Sequence, residues 1–138
     1  MRYLITAIGS MSAECAIKHL KATGHYVVGV DIYPGEWHYE TKLCDVFYQA
    51  PFATKEDKYI QFLLDTCAKH DLGYIIPLTD LEIDVINRQR EKVESKGIIL
   101  CMQSSDVLDV ARDKYKLSST FDDDENVPSV RTTLLTNM

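Results

Sequence analysis

Three turns in this sequence hold residues whose types and spacing suit chemistry. The first reads Gly9-Ser10-Met11-Ser12-Ala13-Glu14, between a short apolar run and an amphipathic segment. A helix starting there offers N–H groups with no internal partner, and its dipole favours an anion such as a substrate carboxylate. Ser10 and Ser12 either add donors to that site or only cap the helix. Glu14 either holds a substrate ammonium or simply complements the positive end of the dipole. A dinucleotide site would instead place glycines where Met11 and Glu14 stand, because the G-x-G-x-x-G spacing lets the backbone approach a pyrophosphate. The second place is Asp31, about 20 residues on, where such folds carry a ribose-binding acid. The third is the pair Asp80 and Glu82, just beyond Pro77.

Each of these turns follows a segment that reads as a strand. Residues 3–8, 26–31 and 74–77 read as buried strands, 26–31 apolar on both faces as parallel strands usually are, and residues 45–49 and 98–102 add a short edge strand and a fifth strand. Helical periodicity fills the gaps. Ala13, Ala16, Ile17 and Leu20 mark a helix over residues 12–21 that Gly24 stops. Ile60, Leu63, Leu64, Cys67 and Ala68 mark one over 56–70, a third spans 81–95, and Ser104 or Ser105 caps a fourth through about Tyr115. Residues 33–43, opened by Tyr33-Pro34-Gly35, read as an irregular loop. Strands alternating with helices predict an α/β fold: a doubly wound, mostly parallel five-stranded sheet with helices on both faces, Rossmann-like. Ligands of such sheets sit beyond the carboxyl ends of the strands, where all three turns fall.

Composition narrows the class. A net charge of -6 and a pI near 5.1 argue against nucleic acid and anionic membrane, which require concentrated Lys and Arg. No apolar run approaches the length of a membrane span, and the first residues run straight into strand sequence, so a cytoplasmic protein is expected. Cys15, Cys44, Cys67 and Cys101 lie far apart and are expected to be buried free thiols. The four histidines, His19, His25, His38 and His70, show no metal-ligand spacing. Asp122-Asp123-Asp124-Glu125 reads as a solvated acidic loop.

Taken in order, four segments carry a family resemblance. Leu4-Ile5-Thr6-Ala7-Ile8-Gly9 with Leu20-Lys21, Gly24 and Val28-Gly29-Val30-Asp31 forms one. Cys44-Asp45-Val46-Phe47 with Ala50-Pro51 is the second, and Ile75-Ile76-Pro77-Leu78-Thr79-Asp80-Leu81-Glu82 the third. Arg112-Asp113-Lys114 followed by Val127-Pro128-Ser129-Val130-Arg131-Thr132 completes the set. Together they resemble the N-terminal, pre-ATP-grasp domain of ATP-grasp ligases, especially the carbamoyl-phosphate-synthase-like enzymes. The Gly9 turn is also similar to the G-G-x-S-A-E segment of D-alanine–D-alanine ligases, with Ser10 in place of the second glycine.

The resemblance implies the N-terminal portion of a carbon–nitrogen ligase. Such an enzyme uses ATP and Mg2+ to phosphorylate a carboxylate, then lets an amine attack the acyl phosphate. It implies substrate contacts from Gly9, Ser10, Glu14, Asp80 and Glu82, with the bland alternative that Asp80 caps a helix. Lys114 would contact ATP phosphate, or else sit in an ion pair with Asp109 or Asp113. Arg131 would enter the next lobe. The implied partner is a small carboxylate or amino acid, and a homodimer stays open. Residues 1–103 are expected to be the pre-ATP-grasp domain. Residues 104–138 should be a linker helix and the start of a truncated ATP-grasp domain, loosely packed after Ser118 or lent to a neighbour as a strand. The phosphate loop and magnesium ligands would lie in further residues, leaving this chain with little or no catalysis alone. Two other classes stay open: a stand-alone binding or regulatory module, and an NAD(P)-dependent oxidoreductase or epimerase domain.

Overall fold

The computed structural model of the chain describes residues 1–122, 124, 126–128, 130 and 132–135. Its centre is built from the segments that are apolar on both faces. β1 (Arg2–Ile5), β2 (Tyr26–Asp31), β3 (Val46–Gln49), β4 (Tyr74–Ile76) and β5 (Ile99–Leu100) form one sheet in the order β3-β2-β1-β4-β5. Every neighbouring pair is parallel, with Leu4 beside Val28 on one side and Ile75 on the other. β2 spans the residues the sequence suggests, whereas β1, β3, β4 and β5 are each shorter, although the Thr6 N–H still donates to Ile76 O and the Ile8 N–H to Val30 O beyond the end of β1.

Alternate residues of the strands feed two separate cores. Ile5 and Val27 join Ile8, Ala13 and Ile17, on the face covered by α1 (Met11–Ala22). Leu4, Val28, Val30 and Ile75 join Tyr59, Ile60 and Leu63 of α2 (Glu56–His70). Val85 and Ile86 of α3 (Asp80–Arg88) and Val93 of α4 (Arg90–Glu94) complete that second core. Helices therefore cover both faces, as the alternating pattern requires. Gly24, at φ +77, ends α1: its N–H returns to Lys21 O at 3.1 Å and that of His25 to Leu20 O at 2.9 Å.

Several boundaries differ from the sequence reading. The helix expected over 81–95 breaks at Gln89, whose side-chain amide donates to Glu56 Oε1 at 3.0 Å while its backbone leaves the helical region. The last expected helix is two. Ser104 opens α5 (Ser105–Ala111), and Asp113 restarts the chain as α6 (Lys114–Phe121) by accepting the N–H groups of Tyr115 and Lys116. Residues 33–43 are less irregular than expected: 3-10 turns occupy Gly35–Trp37 and Tyr39–Lys42. Ala68 falls off the buried face of α2 and is exposed.

The chain divides into two compact units, Met1–Met102 and Gln103–Met138. The first holds the sheet and both cores. The second packs α5 against α6, and Ser118 Oγ donates to Val130 O at 2.6 Å.

Candidate functional site

Strand order reverses between β1 and β4, and the three turns of interest gather at the carboxyl ends around that point. After β1 the chain folds through a tight turn in which the Ser10 N–H donates to Ala7 O at 3.0 Å. Ala7 adopts the left-handed conformation, φ 48, so it is Ala7 and not Gly9 that carries the turn's unusual backbone. Gly9 is glycine for a different reason. A Cβ there would lie 2.4 Å from Cε1 and Nδ1 of His38 and 3.5 Å from Asp31 Oδ2.

Asp31 supplies the turn with an internal anion. Its buried carboxylate accepts the Gly9 N–H on Oδ2 at 3.1 Å and the Tyr33 N–H on Oδ1 at 3.0 Å. His38 Nε2 lies 3.3 Å from Oδ1 without hydrogen-bond geometry, and that nitrogen is buried. The Gly9 N–H is thus already engaged within the chain. Ser10 is the N-cap of α1, its Oγ accepting the Ala13 N–H at 3.3 Å, while Ser12 sits exposed in the first turn. Glu14 pairs with Lys18 one turn on.

Glu82 is a heavily bonded carboxylate at this edge. It is 7% exposed and accepts three hydroxyl bonds: Thr6 at 2.8 Å, Tyr59 at 2.7 Å and Thr79 at 2.6 Å. One side chain therefore ties the end of β1, the first turn of α2 and the start of α3. Thr6 Oγ1 also accepts the Leu78 N–H at 3.2 Å, fixing the turn after β4. Burial, the Glu82 charge and the bond donated to it push the Tyr59 hydroxyl's pKa up, so it stays a donor. Thr79, not Asp80, is the N-cap of α3; Asp80 is exposed at its first position. Glu82 stands three residues after that cap, the spacing of a capping box.

Between these groups lies a cavity of about 100 Å³, lined by Ala7, Asp31, Phe52, Thr79, Leu81 and Glu82 among others. A wider groove of about 650 Å³ lies at the opposite, amino-terminal end, beside Leu72 and Ile98. Parallel sheets collect ligands at the carboxyl ends, so the smaller cavity marks the candidate site. ATP with Mg2+ does not fit it: the lining carries two carboxylates and no Lys or Arg, the wrong sign for a polyphosphate. No three His, Cys, Asp or Glu side chains among the described residues converge as metal ligands.

Lys114 lies in the second unit, exposed at the first position of α6, beside a cavity of about 390 Å³ that Phe121, Pro128 and Val130 also line. It makes no ion pair among the described residues; Asp113 caps the helix instead. Arg131, Asp123 and Glu125 lie outside the described residues. The cysteines depart from expectation. Cys67 is buried and Cys44 half-buried, and burial pushes both thiols up to about 12, Asp45 adding to the effect at Cys44. Cys15 and Cys101 are exposed, one on the outer face of α1 and one just past the short edge strand β5. Reading the apolar face alone missed Thr6, Tyr59 and His38. A lone threonine closing an apolar strand was a signal for Thr6; nothing local marked Tyr59 or His38.

A family model described as PylC-like, N-terminal domain, matches residues 4–101. No curated protein matches the chain. Among solved structures, the biotin carboxylase domain of Hydrogenobacter thermophilus 2-oxoglutarate carboxylase, a dimer in complex with MgADP, ADP and bicarbonate, is similar with TM-score 0.61 and 17% identity. That match covers 88% of this chain and 26% of the other. Glycinamide-RNase-transformylase T from Mycobacterium tuberculosis gives 0.65 at 16% identity, over 93% of this chain and 33% of that one. Kluyveromyces lactis urea carboxylase gives 0.65 at 20%, over 94% and 11%. At such identities the likeness is one of fold, and the chain spans a third or less of each neighbour's length. No helix among the described residues is long and apolar enough to cross a membrane.

Proposed function

The chain belongs to the PylC-like N-terminal domain family, the pre-ATP-grasp domain of ATP-grasp ligases, and from that premise we propose that it forms the N-terminal portion of a carboxylate–amine ligase. The finer reading is a carbamoyl-phosphate-synthase-like reaction. A substrate carboxylate takes the γ-phosphoryl group of ATP, releasing ADP; an amine then attacks the acyl phosphate and expels inorganic phosphate. Positioning and charge neutralisation carry such transfers, with Mg2+ on the phosphates. The observation that supports this most is the family match over residues 4–101, on a 3-2-1-4-5 parallel sheet.

In this reading the first unit is the substrate end of the enzyme and not its nucleotide site. Glu14 and Asp80 stand in the first turns of α1 and α3, and we assign them to a substrate ammonium. Gly9 and Ser10 shape the turn between them, and Glu82 holds the α3 turn in place through its three hydroxyls. ATP and Mg2+ belong to other parts of the parent protein, with Lys114 as this chain's contribution to the phosphates. The oxidoreductase alternative is weaker, since the Asp31 carboxylate is turned onto Gly9 and Tyr33 and not toward a ribose.

The natural gene product is tested directly. Its intact mass should exceed 15.7 kDa by tens of kilodaltons, and it should form ADP from ATP only when both a carboxylate and an amine are supplied. Oxygen scrambling within the ATP γ-phosphoryl bridge, requiring the carboxylate alone, would mark the acyl phosphate. A product of 15.7 kDa with no partner subunit would overturn the ligase reading in favour of a binding module.

A further inference from the structure

Between β2 and β3 the chain leaves the sheet at Asp31 and returns at Val46, and on the way it crosses the Gly9 turn. The crossing segment is well tied within itself. The Trp37 N–H donates to Pro34 O at 3.0 Å, the His38 N–H to Gly35 O at 3.1 Å and the Leu43 N–H to Glu40 O at 2.9 Å. Thr41 Oγ1 adds a bond to His38 O at 2.8 Å. Gly35 sits close against the ring of Phe47, where a Cβ would come within 2.9 Å. Outward, Trp37 is 68% exposed and stacks on Tyr33 with ring centroids 5.6 Å apart.

His38 is the side chain that reaches from this segment onto the turn. Its imidazole is 12% exposed, fills the space a Gly9 side chain would need, and lies against the Asp31 carboxylate. Yet the contact is incomplete. Nε2 is buried 3.3 Å from Asp31 Oδ1 and makes no hydrogen bond. A buried polar atom left unpaired costs free energy that release into water would recover, so this docking is well shaped but poorly bonded. A contact of that kind holds a segment closed and lets it open far more cheaply than the core unfolds.

We infer that residues 33–43 form a strap latched over the Gly9 turn by the imidazole of His38 against Gly9 and Asp31, and that the strap must lift before a ligand can reach that face of the turn. Lifting uncovers the inner side of Gly9 and the Asp31 carboxylate together, the one hydrogen-bonded to the other. The inference deepens the reading of this edge as the substrate end. Its test needs neither ATP nor substrate, so the latch and the ligase reading can fail separately.

Amide hydrogen exchange on the chain as it exists, with acrylamide quenching of Trp37, the single tryptophan, reads the latch. In the wild type, the amides of Trp37, His38, Leu43 and Cys44 should exchange through an opening that leaves β1 and α2 protected. Exchange of these amides only at the global unfolding rate would overturn the proposal without any variant. His38→Ala should raise their exchange by about tenfold and expose Trp37 further, with α2 unchanged. Gly9→Ala should act the same way by evicting the ring, and the double variant should be no worse than His38→Ala alone, because both remove one contact. Strap exchange in His38→Ala within about twofold of wild type, or fully additive effects, would sink the latch. Where alanine unfolds the whole domain, His38→Gln is read by the same criteria.

Discussion

Glu82 shows how much one side chain can hold at this edge. Three hydroxyls from three elements converge on it, each at 2.8 Å or less, and it lies almost wholly out of water. Removing the carboxylate leaves buried Thr6 and Tyr59 and half-buried Thr79 with unpaired donors, at roughly 1–3 kcal/mol for each group that stays dry. Glu82→Ala is therefore expected to destabilise the domain by about 3 kcal/mol, after partial relaxation and access of water. Glu82→Gln, which keeps one acceptor oxygen, should cost about half as much. Urea denaturation followed by circular dichroism measures both. Equal stability of Glu82→Ala and wild type would show that the hydroxyls find other partners and that the carboxylate is free for a ligand.

Among the elements, β3 is one of the sheet's two edge strands, four residues long, and its position depends on a charged tether at its start. Asp45 Oδ2 accepts the Val27 N–H at 2.7 Å, and its own N–H returns to Val27 O at 2.9 Å. Lys21, in the last turn of α1, bonds both carboxylate oxygens at 2.6 and 2.7 Å. Burial pushes the Asp45 carboxyl up, but the Lys21 ammonium and the Val27 N–H outweigh it and hold the group below its ordinary 3.8. A carboxyl whose folded pKa is depressed stabilises the native state above its unfolded pKa, and that contribution is lost as pH falls through the folded value. Between about pH 5 and about pH 2 the wild type should thus lose more stability than Asp45→Asn, by roughly 0.5–1 kcal/mol given solvent screening of a partly exposed pair. Parallel acid-unfolding curves for the two proteins would remove Asp45 from the account.

For the whole molecule, the division at Met102 carries its own consequence. Both apolar clusters are drawn from residues 4–102, so the sheet and its two helical layers contain the burial needed for cooperative folding. A protein ending after Met102 should unfold in a single transition with a Tm within about 5 °C of the full chain, which calorimetry would report. A much lower or broadened transition would mean that residues 103–138 complete the first unit and are not a separate one.

Fold class was legible because it rests on local rules. Doubly apolar segments such as 26–31 must be buried on both sides, helices such as 56–70 cover them, and parallel neighbours demand the crossovers between. Those rules also placed the candidate turns, since a parallel sheet sends every strand's carboxyl end to one edge. What the side chains do there depended on contacts across long stretches of chain. Thr6 meets Glu82 76 residues away, and Asp31 meets Gly9 22 residues away. No periodicity encodes such pairs, because which group a carboxylate accepts from is decided by how the layers close over the sheet. For the same reason the packing of the His38 ring against Gly9, 29 residues apart in the chain, could not be read from either segment alone.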